Sequence, residues 1–227
     1  MASLPPASTS TEHYAARDLF GGAIKVDVPF SFLDVSDVRQ VPDTQEVHVS
    51  RDKDDISLIV EILQVVDVAA QQAGRSELES AVRYHFDSIA HDGGAASSSV
   101  KHVWTTSPSP ATSVSQPSTP CAVLLMGEQS VVKYGERFGH SAQDRIRVWV
   151  ALYRLRPARN IDLVLSVNEP LAQAVADNDN EQEDLRAERA GERVEQVKDE
   201  AAESRARGIF ERAAGTLRIH DWDLFAE

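Results

Sequence analysis

The sequence predicts an α+β fold, an antiparallel β-sheet of about six strands flanked by helices on both faces. Three observations lead there. Two alternating apolar runs stand on either side of a short Pro/Asn turn, one longer run is apolar almost throughout, and helical spacing appears both before and after the paired runs. With 227 residues, 42% of them hydrophobic, the chain is long enough to build a sizeable core.

Taken in order, Ile24, Val26 and Val28 alternate with Lys25 and Asp27 and predict a strand that Pro29 ends. Val47 and Val49 flank His48 in a second, short one. Ile56 to Val66 is nearly all apolar and rich in β-branched residues, as in a central strand covered on both faces, although its length would also allow a buried helix. Ser76 to about Ala90 reads as a helix. Ser76 with Glu79 three residues on makes a capping box, and Leu78, Val82, His85, Phe86 and Ile89 follow at helical spacing. Cys121 to Met126 opens another apolar strand that extends toward Val131 and Val132. In Arg145 to Arg154, Ile146, Val148, Val150 and Leu152 point one way, and Arg147, Trp149, Ala151 and Tyr153 the other. After the turn Arg156–Asn160, Ile161, Leu163, Leu165 and Val167 share a face, completing an antiparallel hairpin. A late helix is expected from about Glu181 to Ala214, ending near Gly215. At ~1.5 Å per residue it would span about 50 Å, so its charged first half projects or bends. Ile209, Phe210, Ala213 and Leu217 are its candidates for docking on the sheet.

Three segments differ in composition from a packed core. Residues 1–17 are read as a disordered N-terminal tail, rich in Ser, Thr and Pro up to about Thr11. Residues 18–227 form one domain with a Ser/Pro-rich insertion at 92–120, read as a long loop. Between Asp177 and Arg207 there are 11 acidic and 6 basic residues and no Pro, which favours a charged helix.

The chain carries 36 acidic and 23 basic side chains, a formal charge of -13. That balance disfavours phosphate backbones and anionic lipid, so no nucleic-acid or membrane partner is expected, and it suits a partner with a basic patch. A single cysteine, Cys121, excludes an internal disulfide framework and a multi-cysteine zinc site. It is read as a small buried hydrophobe at the start of its strand. No apolar run reaches the roughly 18 residues of a spanning helix. The N-terminus lacks a signal-peptide core, so a soluble protein of a reducing compartment is expected.

Catalytic patterns are missing. His85 and His91 are six apart, no HExxH or CxxC occurs, and no GxSxG surrounds a serine. The glycine pairs at 21–22 and 93–94 lack the rest of a nucleotide-binding loop. Neither an enzyme, a metal site nor a bound cofactor is expected. What stands out is acidity. From Asp34 to Asp67 there are nine carboxylates and three bases, beginning with the polar, turn-rich segment Asp34–Glu46. Glu61 is the odd member, a carboxylate inside an apolar strand. Such a group lies near a sheet edge or is held for a partner's Lys or Arg, because isolated burial is costly.

The segments Leu19-Phe20-Gly21-Gly22-Ala23-Ile24, Phe32-Leu33-Asp34-Val35-Ser36 and Arg39-Gln40-Val41-Pro42-Asp43-Thr44-Gln45-Glu46-Val47 closely resemble the opening signature of the Mog family. Ser57 to Leu63, Tyr84-His85-Phe86, Val150 to Leu155, Leu165 to Pro170 and the closing Ile219 to Phe225 agree with it. These are small Ran-binding proteins, also called Ran guanine nucleotide release factors. The resemblance implies a Mog/PsbP-like α/β/α sandwich. It also implies binding of the GTPase Ran, release of its guanine nucleotide, support of nuclear protein import, and residence in nucleus and cytoplasm. By position it implies a Ran-binding set of Asp34, Arg39, Asp43, Gln45, Glu46, Glu61 and Gln64. Gln64 stands where some members carry a second acid, so half of that acidic pair is neutral here. The 92–120 insertion and the charged helix depart from the family pattern. The molecule is expected to act as a monomer. The competing expectation is a scaffold or adaptor acting through the charged helix, where Ala190, Val194, Val197 and Ala201 outline a short coiled-coil seam.

Overall fold

The computed structural model describes residues 12–68, 75–106, 118–132, 143–171 and 205–226. Within them the strands are β1 (Tyr14–Leu19), β2 (Ile24–Pro29), β3 (Leu33–Asp34), β4 (Gln45–Val49), β5 (Ser57–Gln64), β6 (Ala95–Thr105), β7 (Val123–Val132), β8 (Gln143–Arg154), β9 (Ile161–Leu171) and β10 (Arg218–Ile219). The helices are α1 (Glu77–Asp92) and α2 (residues 205–216). Seven strands form one antiparallel sheet in the order β3-β4-β5-β9-β8-β7-β6, and β1-β2-β10 form a small second one. No described helix is long and apolar enough to cross a membrane.

Two cores follow from the alternation in the central strands. On one face Val148, Val150 and Leu152 pack with Leu125 and with Val82 and Phe86 of α1. On the other, Trp149, Ala151 and Tyr153 pack with Leu58, Val60 and Leu165, under Ile209, Phe210 and Ala213 of α2 and Ile24, Val26 and Val28 of the small sheet. The predicted hairpin pairs Arg154 with Asp162, and both of its faces are covered. Leu217 is buried beside α2, completing the expected docking set. The Ser76 half of the expected cap forms: the Ser76 hydroxyl accepts the Glu79 N–H at 3.1 Å, a contact of about 1 kcal/mol, while Glu79 Oε1 accepts from Arg83.

The six expected strands are present, and β1, β3, β6 and β10 are additional. Residues 14–17, assigned to the tail, belong instead to β1, which pairs along its length with β2. Residues 95–105, assigned to the loop-like insertion, form β6 at the sheet edge. Its side chains are mostly exposed and its ladder with β7 holds it, so no apolar alternation marks it. The rest of the insertion at 107–117, and the charged segment at 181–204 with its proposed seam, lie outside the described residues. Cys121 is exposed rather than buried, because β7 starts two residues later at Val123.

Candidate functional site

α1 packs over β6, β7 and β8, and among the described residues the same face of β4 and β5 is left open. The step between helix and open strands is a groove of about 410 Å³. Glu61 stands on its floor, half-buried, and in the β4–β5 register it faces Gln45. The Gln45 amide donates to Glu61 Oε1 at 2.6 Å, which fixes the carboxylate without neutralising it. Val164 flanks Glu61 on β9, and Ile59 precedes it by two on the same face. Tyr84 of α1, 49% exposed, forms part of the wall, and Gln64 is exposed at the end of β5. Among the described residues, Glu61 and Asp92 are the carboxylates lining this groove, and no Lys or Arg lines it. Such a surface is chemically suited to a cationic side chain with an apolar stem.

A buried polar network supports the wall. His85 Nε2 lies 2.9 Å from Asp162 Oδ2. Arg154 donates to both Asp162 oxygens at 2.8 Å, to Glu77 at 2.5 Å and to the Val66 carbonyl at 3.0 Å. Burial alone would raise the Asp162 pKa, but the Arg154 and His85 hydrogen bonds outweigh it and hold the carboxyl below the usual carboxylate range. One ion-pair network thus ties α1, β8, β9 and the 65–68 segment together.

The opposite face of β4 carries different chemistry. Glu46 and His48 alternate away from Gln45, and Asp34 pairs with His48 in the β3–β4 register. Phe20, Gly21 and Gly22 all have positive φ, and the turn they make aims the Phe20 N–H at Glu46 Oε1, 2.6 Å away. Two segments singled out in the sequence, the Gly-Gly turn and the 39–47 block, therefore meet at this hydrogen bond. Asp34 Oδ1 accepts from the Ser36 N–H at 2.8 Å and the Ser36 hydroxyl at 2.7 Å. Burial opposes ionisation of Asp34, yet these bonds hold its pKa below the usual value. His48 is 3% exposed, and neither ring nitrogen has a hydrogen-bond partner among the described residues. Burial lowers its pKa, partly offset by Asp34, so the ring is held neutral.

The expected site residues are therefore divided. Gln45, Glu61 and Gln64 meet at the groove. Arg39 and Asp43 are exposed in the loop that leads into β4. Asp34 and Glu46 lie on the other face of the sheet, and the single acidic patch implied by the sequence does not form. The sheet register separates them. Tyr84 stood in the sequence within a helix and a family-like segment, without a place in the expected site. Sequence spacing offered no metal-ligand set, but the fold brings Asp34, Glu46 and His48 together, with one ligand atom of each within 4.8 Å of the others. The i, i+2 spacing of Glu46 and His48 was its one local signal.

A family model described as "Ran-interacting Mog1 protein" matches residues 17–170. The Ran guanine nucleotide release factor of Danio rerio is 32% identical over 158 residues, covering 69% of this chain and 78% of that protein. The Homo sapiens protein of the same name is 36% identical over 154 residues, covering 67% and 74%. In fold, the chain is similar to the crystal structure of the Saccharomyces cerevisiae Ran-binding protein Mog1p, with a TM-score of 0.61 at 24% identity, covering 95% of this chain and all of that one.

Proposed function

The chain belongs to the Ran-interacting Mog1 protein family, and we propose that it binds the GTPase Ran and promotes release of its guanine nucleotide, in support of nuclear protein import. The observation that supports this reading is Glu61, an oriented and half-buried carboxylate on a largely apolar strand, in a groove that no described lysine or arginine lines. The docking face comprises Gln45, Glu61 and Gln64 with Arg39 and Asp43 of the adjoining loop. Tyr84 and Val38, both exposed, supply its apolar contacts. Asp34 and Glu46 act behind this face, fixing the two ends of the loop through Ser36 and Phe20.

No covalent chemistry is required of the chain. Its charge of -13 favours approach of a basic surface, and Glu61 sets the docked orientation. If the protein binds nucleotide-free Ran more tightly than loaded Ran, linkage requires that it weaken nucleotide affinity by the same factor. Faster release further requires that the docked face lower the barrier to nucleotide escape. The protein acts as a monomer, in the nucleus and cytoplasm.

The test is release of a fluorescent guanine nucleotide from Ran, followed with and without this protein and with its Glu61→Ala variant. Accelerated release that the variant loses is the expected result. Equal rates in all three samples would sink the proposal.

A further inference from the structure

We propose that Asp34, Glu46 and His48 form a binding site for a divalent transition ion of the zinc class, on the face of β4 turned away from the groove. The site is built by register. Glu46 and His48 are two apart on β4, and Asp34 stands across from His48 on β3. One ligand atom from each lies within 4.8 Å of the others. Ligand atoms on ~2.1 Å bonds to a tetrahedral ion sit about 3.4 Å apart, so small side-chain rotations would close the set.

Two further observations point to a ligand. His48 is buried to 3% exposure with neither nitrogen hydrogen-bonded to any described residue, a condition that native interiors rarely leave unanswered. The carboxylates, in turn, are gripped by one oxygen each. Phe20 N–H holds Glu46 Oε1, and Ser36 holds Asp34 Oδ1, which leaves Oε2 and Oδ2 to turn toward the imidazole. Metal ligands are oriented by outer hydrogen bonds of this kind.

A neutral imidazole with two carboxylates selects a transition ion over calcium or magnesium, which favour oxygen ligands alone. Arg17 of β1 is the cation whose field reaches both Asp34 and His48. Three protein ligands leave a fourth position for water. A bound ion would tie β3 and β4 to the Phe20–Gly22 turn.

The experiment is calorimetric titration of the full chain, first treated with a chelator, with Zn²⁺ alone and then with Co²⁺ alone. One equivalent is expected to bind, to raise the melting temperature, and to give cobalt absorption bands of a nitrogen–oxygen site. His48→Phe should weaken binding about a hundredfold with its circular dichroism unchanged. Asp34→Asn, on the half-buried β3, provides a second test should His48→Phe fail to fold, and should weaken binding at least tenfold. Absence of binding to either ion, unchanged affinity in a folded variant, or loss of the equivalent in Cys121→Ser instead would overturn the site. No Ran is present in any arm, so the result stands apart from the docking proposal.

Discussion

Gln45 and Glu61 stand directly opposite one another on β4 and β5, joined by an amide-to-carboxylate hydrogen bond of 2.6 Å. The pair explains how a charge is tolerated in an apolar strand, since one oxygen is satisfied within the fold while the groove gives the group access to a partner. It also makes Glu61 the most sensitive position of the proposed docking face. Glu61→Gln should weaken Ran binding about tenfold, or ~1.4 kcal/mol, and flatten its dependence on salt. Affinities measured over a series of salt concentrations check both effects. Gln45→Ala should cost only a fewfold, because it loosens the carboxylate without removing it.

Gln64 gives a prediction of the opposite sign. It is exposed at the groove, where a second negative charge would face the same partner. Gln64→Glu should tighten Ran binding about threefold and steepen the salt dependence. The same affinity series reads this out, and a weaker complex would contradict the assigned polarity of the face.

Stability should depend strongly on Asp162. Its side chain is fully buried and that of Arg154 is 5% exposed, so Asp162→Ala leaves a buried guanidinium with only the half-exposed Glu77 as a carboxylate partner. The expected loss is about 3–5 kcal/mol, measured by urea denaturation. The groove wall rests on the same network, and nucleotide release from Ran should fall with it.

The pH dependence follows from the lowered Asp162 pKa. In the unfolded chain the group titrates near the ordinary carboxylate value, whereas the folded protein holds it ionised to lower pH. The unfolded state therefore binds the proton first as pH falls. The contribution of Asp162 is fully present above the ordinary value of 3.8 and is lost as pH drops from there through its folded value. Denaturation midpoints taken stepwise into acid should show the gap between wild type and Asp162→Asn narrowing across that window.

Gly127 offers a packing test at a residue that belongs to neither site. A Cβ added there would lie 2.5 Å from the Phe86 ring and 2.7 Å from the Ser99 carbonyl. Because the Ser99 obstruction is backbone, Gly127→Ala must shift β6 or α1. A loss of about 1–3 kcal/mol is expected, again by urea denaturation.

Legibility in the sequence tracked the range of each signal. The Ser76 half of the α1 cap and the β8–β9 hairpin are encoded within a few residues, and both form as read. β6 left no trace because an edge strand with exposed serines is stabilised by its backbone partner, which sequence alternation does not report. Glu61 was legible because a carboxylate in an apolar strand violates the local pattern. Its separation from Asp34 and Glu46 was not. That depends on Gln45, rather than Glu46, standing opposite Glu61, a pairing made across 16 residues. The same holds for His48, whose neighbour Asp34 comes from another strand.

Neighbouring residues of β4 serve opposite surfaces, so the strand works as a reading frame. If a single residue were added to the 38–44 loop and β4 slid to keep its ladder, Gln45 and Val47 would trade places with Glu46 and His48. Both surfaces would be lost in one step. Changes of loop length by two would leave each side chain on its own side, which makes odd and even insertions unequal in consequence.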